Sequence, residues 1–271
     1  MTVNDLFKGV AVASGNDAVV ALAEAVAGTE ENFVNMMNDK VKQLGLTDTN
    51  FKNPHGLDEA NHYSSAHDMA FISRELVKHE KIFEFTSIYE DYLRQNTDNK
   101  FWLVNTNKLI KTYEGADGLK TGYTKEAGYC LTATANKNRM RLIATIMGAS
   151  DSKKRNSNMA TLLDYGFNSY ELITLKEKNE IINTESDVLV SPSKYNIVTS
   201  NKICYLKYKG QVYDDVKYEV TLYRDKIRNQ ESKNIGLIKA YVDGKLVDEV
   251  SLDLEEDLRK SSYLELLYKV F

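Results

Sequence analysis

Proline is almost missing from this chain, with two residues in 271. Cysteine is equally scarce: Cys130 and Cys204 lie far apart and match no metal or redox spacing. That excludes a disulfide-stapled scaffold, and the expectation is two reduced thiols that are mostly buried. No apolar run is long enough to span a bilayer. The opening Met1-Thr2-Val3-Asn4-Asp5 has neither the basic start nor the apolar stretch of a signal peptide. Basic charge is not in excess either: 35 Lys and Arg stand against 39 Asp and Glu, a net charge of −4, so no nucleic-acid partner is expected. What is there, 42% hydrophobic and 27% charged residues, is the balance of a globular protein large enough for two ordinary domains.

Periodicity divides the chain. Thr2 and Asp5 form a capping-box pattern before an apolar segment from Leu6 to Val12. Ser14-Gly15-Asn16-Asp17 breaks that pattern. Helices are predicted over Ala18 to Ala27, ending at Gly28, and over Glu31 to Leu44, ending at Gly45. Asn53-Pro54-His55-Gly56 is a turn, and Ser65 caps a helix from Ala66 to Lys78. Gly118 to Thr124, Tyr129 to Ala135 and Arg141 to Met147 read as an antiparallel meander, followed by a helix from Lys153 to Tyr165 that ends at Gly166. Beyond Tyr170 the pattern turns to short strands, with an Asp243-Gly244 hairpin signal. The fold expected is α+β: a mixed helix-and-strand domain over 1–170, a small all-β sandwich over 176–257, and an amphipathic tail over 258–271 that could lie on a membrane surface or pack on its own domain. Tyr205, Tyr208, Tyr213, Tyr218 and Tyr223 are expected to pack inside the sandwich rather than stack on sugar.

Two short motifs carry chemistry: Ser14-Gly15-Asn16 in a helix–helix break, and Lys120-Thr121-Gly122 on a strand after Gly115-Ala116-Asp117-Gly118. Each alone is weak, and the pair is more specific. With Asn53-Pro54-His55-Gly56-Leu57-Asp58, His62 to Asp68, Gly118 to Thr124 and Leu162 to Phe167, the chain resembles the active-site serine penicillin-recognising enzymes, and within them the D-alanyl-D-alanine carboxypeptidases. The likeness is near continuous from residue 2 to about 170 and looser in the β segment. It implies a transpeptidase-like catalytic domain. It also implies removal of the terminal D-alanine from peptidoglycan pentapeptides through an acyl-serine, outside the cytoplasmic membrane. β-Lactams would acylate the same serine, and no metal or organic cofactor is implied.

By that resemblance Ser14 relays a proton to the leaving D-alanine, and Asn16 bonds the acyl-side amide of the substrate. Lys120 contributes positive charge and proton relay, Thr121 donates to the substrate carboxylate, and Arg155 anchors that carboxylate. Gly122 lets the substrate backbone approach, and the Tyr123 N–H is an oxyanion donor. The family's Ser-x-x-Lys nucleophile belongs a few tens of residues before Ser14 and is not found there. Ser150 to Lys153 and Ser191 to Lys194 match the pattern by chance. The chain is therefore expected to be an N-terminally truncated form, inactive by itself. Two other readings stand beside it. One is a non-catalytic peptidoglycan-binding or scaffold module. The other is a β-lactamase, which lacks a locatable deacylating glutamate.

Overall fold

The computed structural model describes residues 1–270, with side chains described through Leu267. The chain divides into two compact units, residues 1–168 and residues from 169 onward.

The first unit opens with α1 (Val3–Ala13), α2 (Asn16–Ala27), α3 (Glu30–Gln43) and α4 (Ala66–Leu76). Thr2 and Asp5 form both bonds of the capping box, and the Ser65 hydroxyl accepts from the Asp68 N–H. These two helix starts were legible in the sequence because a side-chain oxygen at the N-cap satisfies a donor the helix leaves free. Two short helices, α5 (Phe83–Thr86) and α6 (Leu109–Thr112), flank the strand pair β1 (Glu90–Leu93) and β2 (Phe101–Val104). The meander follows as β3 (Ala116–Thr124), β4 (Gly128–Lys137) and β5 (Met140–Ala149), in the order β3-β4-β5 with antiparallel pairing throughout.

Alternation along β4 sends Leu131, Ala133 and Ala135 into a core shared with Met159 and Leu163 of α7 (Ser152–Ser169). Helix α7 corrects one expectation. Gly166 lies inside it and does not end it. A Cβ there would meet Leu142 Cδ1 at 2.5 Å, so the glycine serves close helix–strand packing.

The second unit is almost all β. Its strands are β6 (Tyr170–Lys176), β7 (Ile181–Ser186), β8 (Val190–Ser191), β9 (Lys194–Thr199), β10 (Ile203–Tyr208), β11 (Val216–Leu222), β12 (Gly236–Val242), β13 (Lys245–Leu254) and β14 (Arg259–Lys260). The main sheet runs β11-β12-β13-β9-β7, and β10 pairs with β6. A short α8 (Arg224–Arg228) and the terminal α9 (Tyr263–Val270) complete it.

Ile197, Ile203, Ile235, Ile238 and Leu252 fill the core. Of the tyrosines expected inside, Tyr205 and Tyr213 are half-buried, with ring centroids 5.7 Å apart. Tyr208, Tyr218 and Tyr223 are exposed, and Tyr208 stacks on Tyr170 with ring centroids 4.5 Å apart. β-Branched residues fill a thin sheet core without a polar atom to satisfy, whereas a phenol keeps its hydroxyl wet. Tyr263, Leu264 and Leu267 of α9 are exposed, while the side chains of Lys269 and Val270, part of the expected amphipathic pattern, and the whole of Phe271 lie outside the described residues. No helix of the described residues is long and apolar enough to cross a membrane.

Candidate active site

The site is built where α1 breaks. Ser14 closes that helix at φ 62°, ψ 40°, in the left-handed region, with the Gly9 carbonyl as the acceptor at the cap. The Gly15 N–H bonds the same carbonyl at 3.0 Å, and α2 starts at the next residue. A serine held left-handed is strained relative to glycine. Its hydroxyl caps neither helix, since α2 has no side-chain cap bond. It accepts instead from Lys120 Nζ at 2.7 Å, across 106 residues of sequence.

Lys120 reaches Ser14 from β3, the edge strand of its sheet, and also donates to its neighbour's carbonyl, Thr121 O, at 2.9 Å. Burial, with the nearby Arg155 guanidinium adding to it, pushes the ammonium down to about 8. Arg155, near the start of α7, is 5% exposed. Its Nε and Nη2 donate to Asn156 Oδ1 at 3.1 and 2.9 Å, and its Nη1 to Cys130 O at 3.4 Å. Among the described residues neither cation has a carboxylate partner. Two cations drawn from water, close enough to feel each other and with no acid between them, form a site that an anion would complete.

The other predicted residues sit along the same strand and break. Thr121 Oγ1 donates to Thr106 Oγ1 at 2.7 Å. Asn16 is exposed in the first turn of α2, and its side chain has no bonded partner among the described residues. Gly122 pairs with Cys130, and a Cβ there would reach only Cys130 Cβ, at 3.8 Å. The chain's own packing therefore does not demand that glycine. Tyr123 is exposed and stacks on Tyr129 at 4.3 Å, where it borders an open cavity of about 320 Å³ that also touches Lys125, Glu126 and Ser150. That cavity does not include Ser14 or Lys120. As an edge strand, β3 can accept an extended peptide as a further strand.

Ser150 Oγ bonds its neighbour Asp151 and Ser191 Oγ bonds Glu265, so neither joins the Ser14–Lys120 pair. Sequence reasoning missed the segment Asn105-Thr106-Asn107, whose two asparagines are fully buried. The signal was present as two amides flanking a hydroxyl directly after an apolar strand, but only the fold reveals what they bond.

Comparison with known proteins follows the same pattern. The family model described as D-alanyl-D-alanine carboxypeptidase, peptidase S11, matches residues 1–151. The D-alanyl-D-alanine carboxypeptidase DacF of Bacillus subtilis is 48% identical over 98% of this chain and 69% of its own length. DacC of Escherichia coli is 33% identical over 97% of this chain and 65% of its own. Among solved structures, penicillin binding protein 5 from Haemophilus influenzae superposes with a TM-score of 0.68 and 33% identity, covering 95% of this chain and 75% of that one. Penicillin-Binding Protein D2 from Listeria monocytogenes in its cefotaxime-bound form matches 62% of this chain and 67% of its own, at TM-score 0.56 and 33% identity.

Proposed function

Because the chain belongs to the D-alanyl-D-alanine carboxypeptidase family, we propose that it supplies the substrate grip and proton relay of a serine-type enzyme that removes the terminal D-alanine from peptidoglycan pentapeptides. The work is done outside the cytoplasmic membrane, and β-lactams occupy the same site. The observation that carries this reading is the 2.7 Å bond from Lys120 to Ser14.

In the proposed cycle the peptide lies along the free edge of β3, with its terminal carboxylate between Thr121 and the paired cations Lys120 and Arg155. Gly122 leaves room for the peptide backbone, and Asn16 bonds the acyl-side amide. The oxyanion of the tetrahedral state is met by the Tyr123 N–H. As the C–N bond breaks, the leaving amine takes its proton from the Ser14 hydroxyl, which is resupplied by Lys120. A lysine pushed down to about 8 gives up that proton far more readily than one in water. In this reading the acylated serine is neither Ser150 nor Ser191, the starts of the two Ser-x-x-Lys matches in the sequence, because their hydroxyls bond Asp151 and Glu265 away from the Ser14–Lys120 pair.

A fluorescent penicillin tests this division of labour. The chain as it stands gives no denaturation-stable label. The same chain extended at its N-terminus by a relative's Ser-x-x-Lys region gives one, and Lys120→Ala in the extended form lowers the labelling rate by at least about a hundredfold. A stable adduct on the 271-residue chain would remove the proposal that the nucleophile lies elsewhere. A second reading, peptide binding without turnover, is favoured by the fact that the residues of the carboxylate grip all lie within this sequence. It predicts D-Ala-D-Ala peptide binding that is lost with Lys120→Ala.

A further inference from the structure

The segment 105–107, between β2 and α6, is held with unusual completeness. Asn105 Nδ2 donates to the carbonyls of Thr86 and Ile88 at 3.2 and 2.7 Å, and its Oδ1 accepts from the Asn107 N–H at 2.8 Å. Asn107 Oδ1 accepts from the Leu109 N–H at 3.2 Å, and its Nδ2 donates to Gly118 O, inside β3, at 3.0 Å. Neither asparagine is exposed. Buried amides with both ends satisfied leave the backbone between them one conformation.

Thr106 is the residue so fixed, and it faces both halves of the site. Its N–H donates to Val12 O at 3.1 Å, two residues before Ser14. Its hydroxyl accepts from the hydroxyl of Thr121 at 2.7 Å. We propose that Thr106 is a positioning residue for carboxylate recognition: it sets the Thr121 hydroxyl and backs it with a second hydroxyl in series. The inference rests on the reading that Thr121 meets a peptide carboxylate.

The chemistry follows from what a hydroxyl can do. Each has one proton to give and two lone pairs to receive. Thr121 gives its proton to Thr106. When an anion arrives, Thr121 turns that proton to the carboxylate. The Thr106 proton is then free to swing onto the Thr121 oxygen. Hydrogen bonds in series polarise one another, so the first becomes a better donor to the anion. A neutral carboxamide gains little from this, because the polarisation matters most where the acceptor is charged.

Thr106→Val separates the roles. It keeps the volume and the N–H bond to Val12 but deletes the second hydroxyl. Titration calorimetry of the 271-residue chain with an N-acyl peptide ending in D-Ala-D-Ala, and with its C-terminal carboxamide, reads the outcome. The wild type prefers the acid. Thr106→Val weakens acid binding by about three- to tenfold, the range expected for one hydrogen bond, leaves the carboxamide unchanged, and is restored by Thr106→Ser. Unchanged acid binding in Thr106→Val, with the wild-type preference intact, overturns this inference alone. Equal weakening of both ligands that serine does not rescue also overturns it, since that marks a merely structural residue. A wild type without preference for the acid overturns the underlying carboxylate reading, and the inference with it.

Discussion

At the scale of single residues, the contrast between Lys120 and the surface lysines is informative. Lys217 and Lys239 lie beside carboxylates that raise them, through Asp215 and Glu249 respectively. Lys120 has burial and a second cation instead, and both lower it. Its pKa in the fold, about 8, lies below the ordinary 10.5 of an unfolded lysine. Between those values the unfolded chain binds the proton and the folded chain does not, so this group makes stability rise with pH across that window. Below about 8 both states are protonated and the contribution is flat at its least favourable. Binding of a carboxylate peptide runs the other way, because the cation that attracts it is lost through the same range. One residue thus predicts two opposed slopes. Urea unfolding between pH 7 and 11 should show wild-type stability rising relative to Lys120→Met, while peptide affinity measured on the wild type falls through pH 8. Parallel stability curves for the two proteins would mean that the ammonium is not held back by its surroundings.

At the scale of elements, β3 carries the site and Gly115 sets where β3 begins. Gly115 sits at φ 80°, and a Cβ there would lie 2.5 Å from the main-chain oxygen of Asn136 in β4. Neither the dihedral nor a backbone oxygen can yield cheaply. Gly115→Ala should cost about 2–4 kcal/mol, combining left-handed strain with overpacking against main chain, measured as a drop in denaturant midpoint at constant slope. Gly122→Ala, by contrast, meets only Cys130 Cβ at 3.8 Å and should leave the midpoint nearly unchanged. These two glycines also mark how far the sequence could be read. Helix starts at Thr2 and Ser65, and the meander of β3, β4 and β5, were legible because local rules set them: a cap oxygen, and period-two alternation between turns. Gly166 was misread because a glycine that admits Leu142 looks, in sequence, like a glycine that stops a helix. Strands β1 and β2 escaped although they pair with each other across a short connection, because each is only four residues long and neither buries alternate positions cleanly. The site divides the same way. Ser14 and Lys120 were legible as motif residues, but Thr106 acquires meaning only when β3 and the end of α1 come together around it.

At the scale of the whole chain, the two units have separate cores, and all the proposed site residues lie in the first. The core of the second unit is centred on Ile197, Ile203, Ile238 and Leu252, none more than 0% exposed, on strands that pair within that unit. A unit that buries its own apolar residues and closes its own sheet can unfold as a cooperative body. Ile238→Ala removes a fully buried side chain from the middle of β12, at a cost of about 2–5 kcal/mol. For about a hundred residues, that lowers the unit's melting temperature by roughly 8 °C or more. Distant sites with no shared partners add independently, so the Lys120-dependent rise of stability with pH should persist in the first unit. Differential scanning calorimetry of the chain should then resolve two transitions, of which only one moves in Ile238→Ala and only the other responds to Lys120→Met. A single transition shifted by both substitutions would mean that the two cores melt as one.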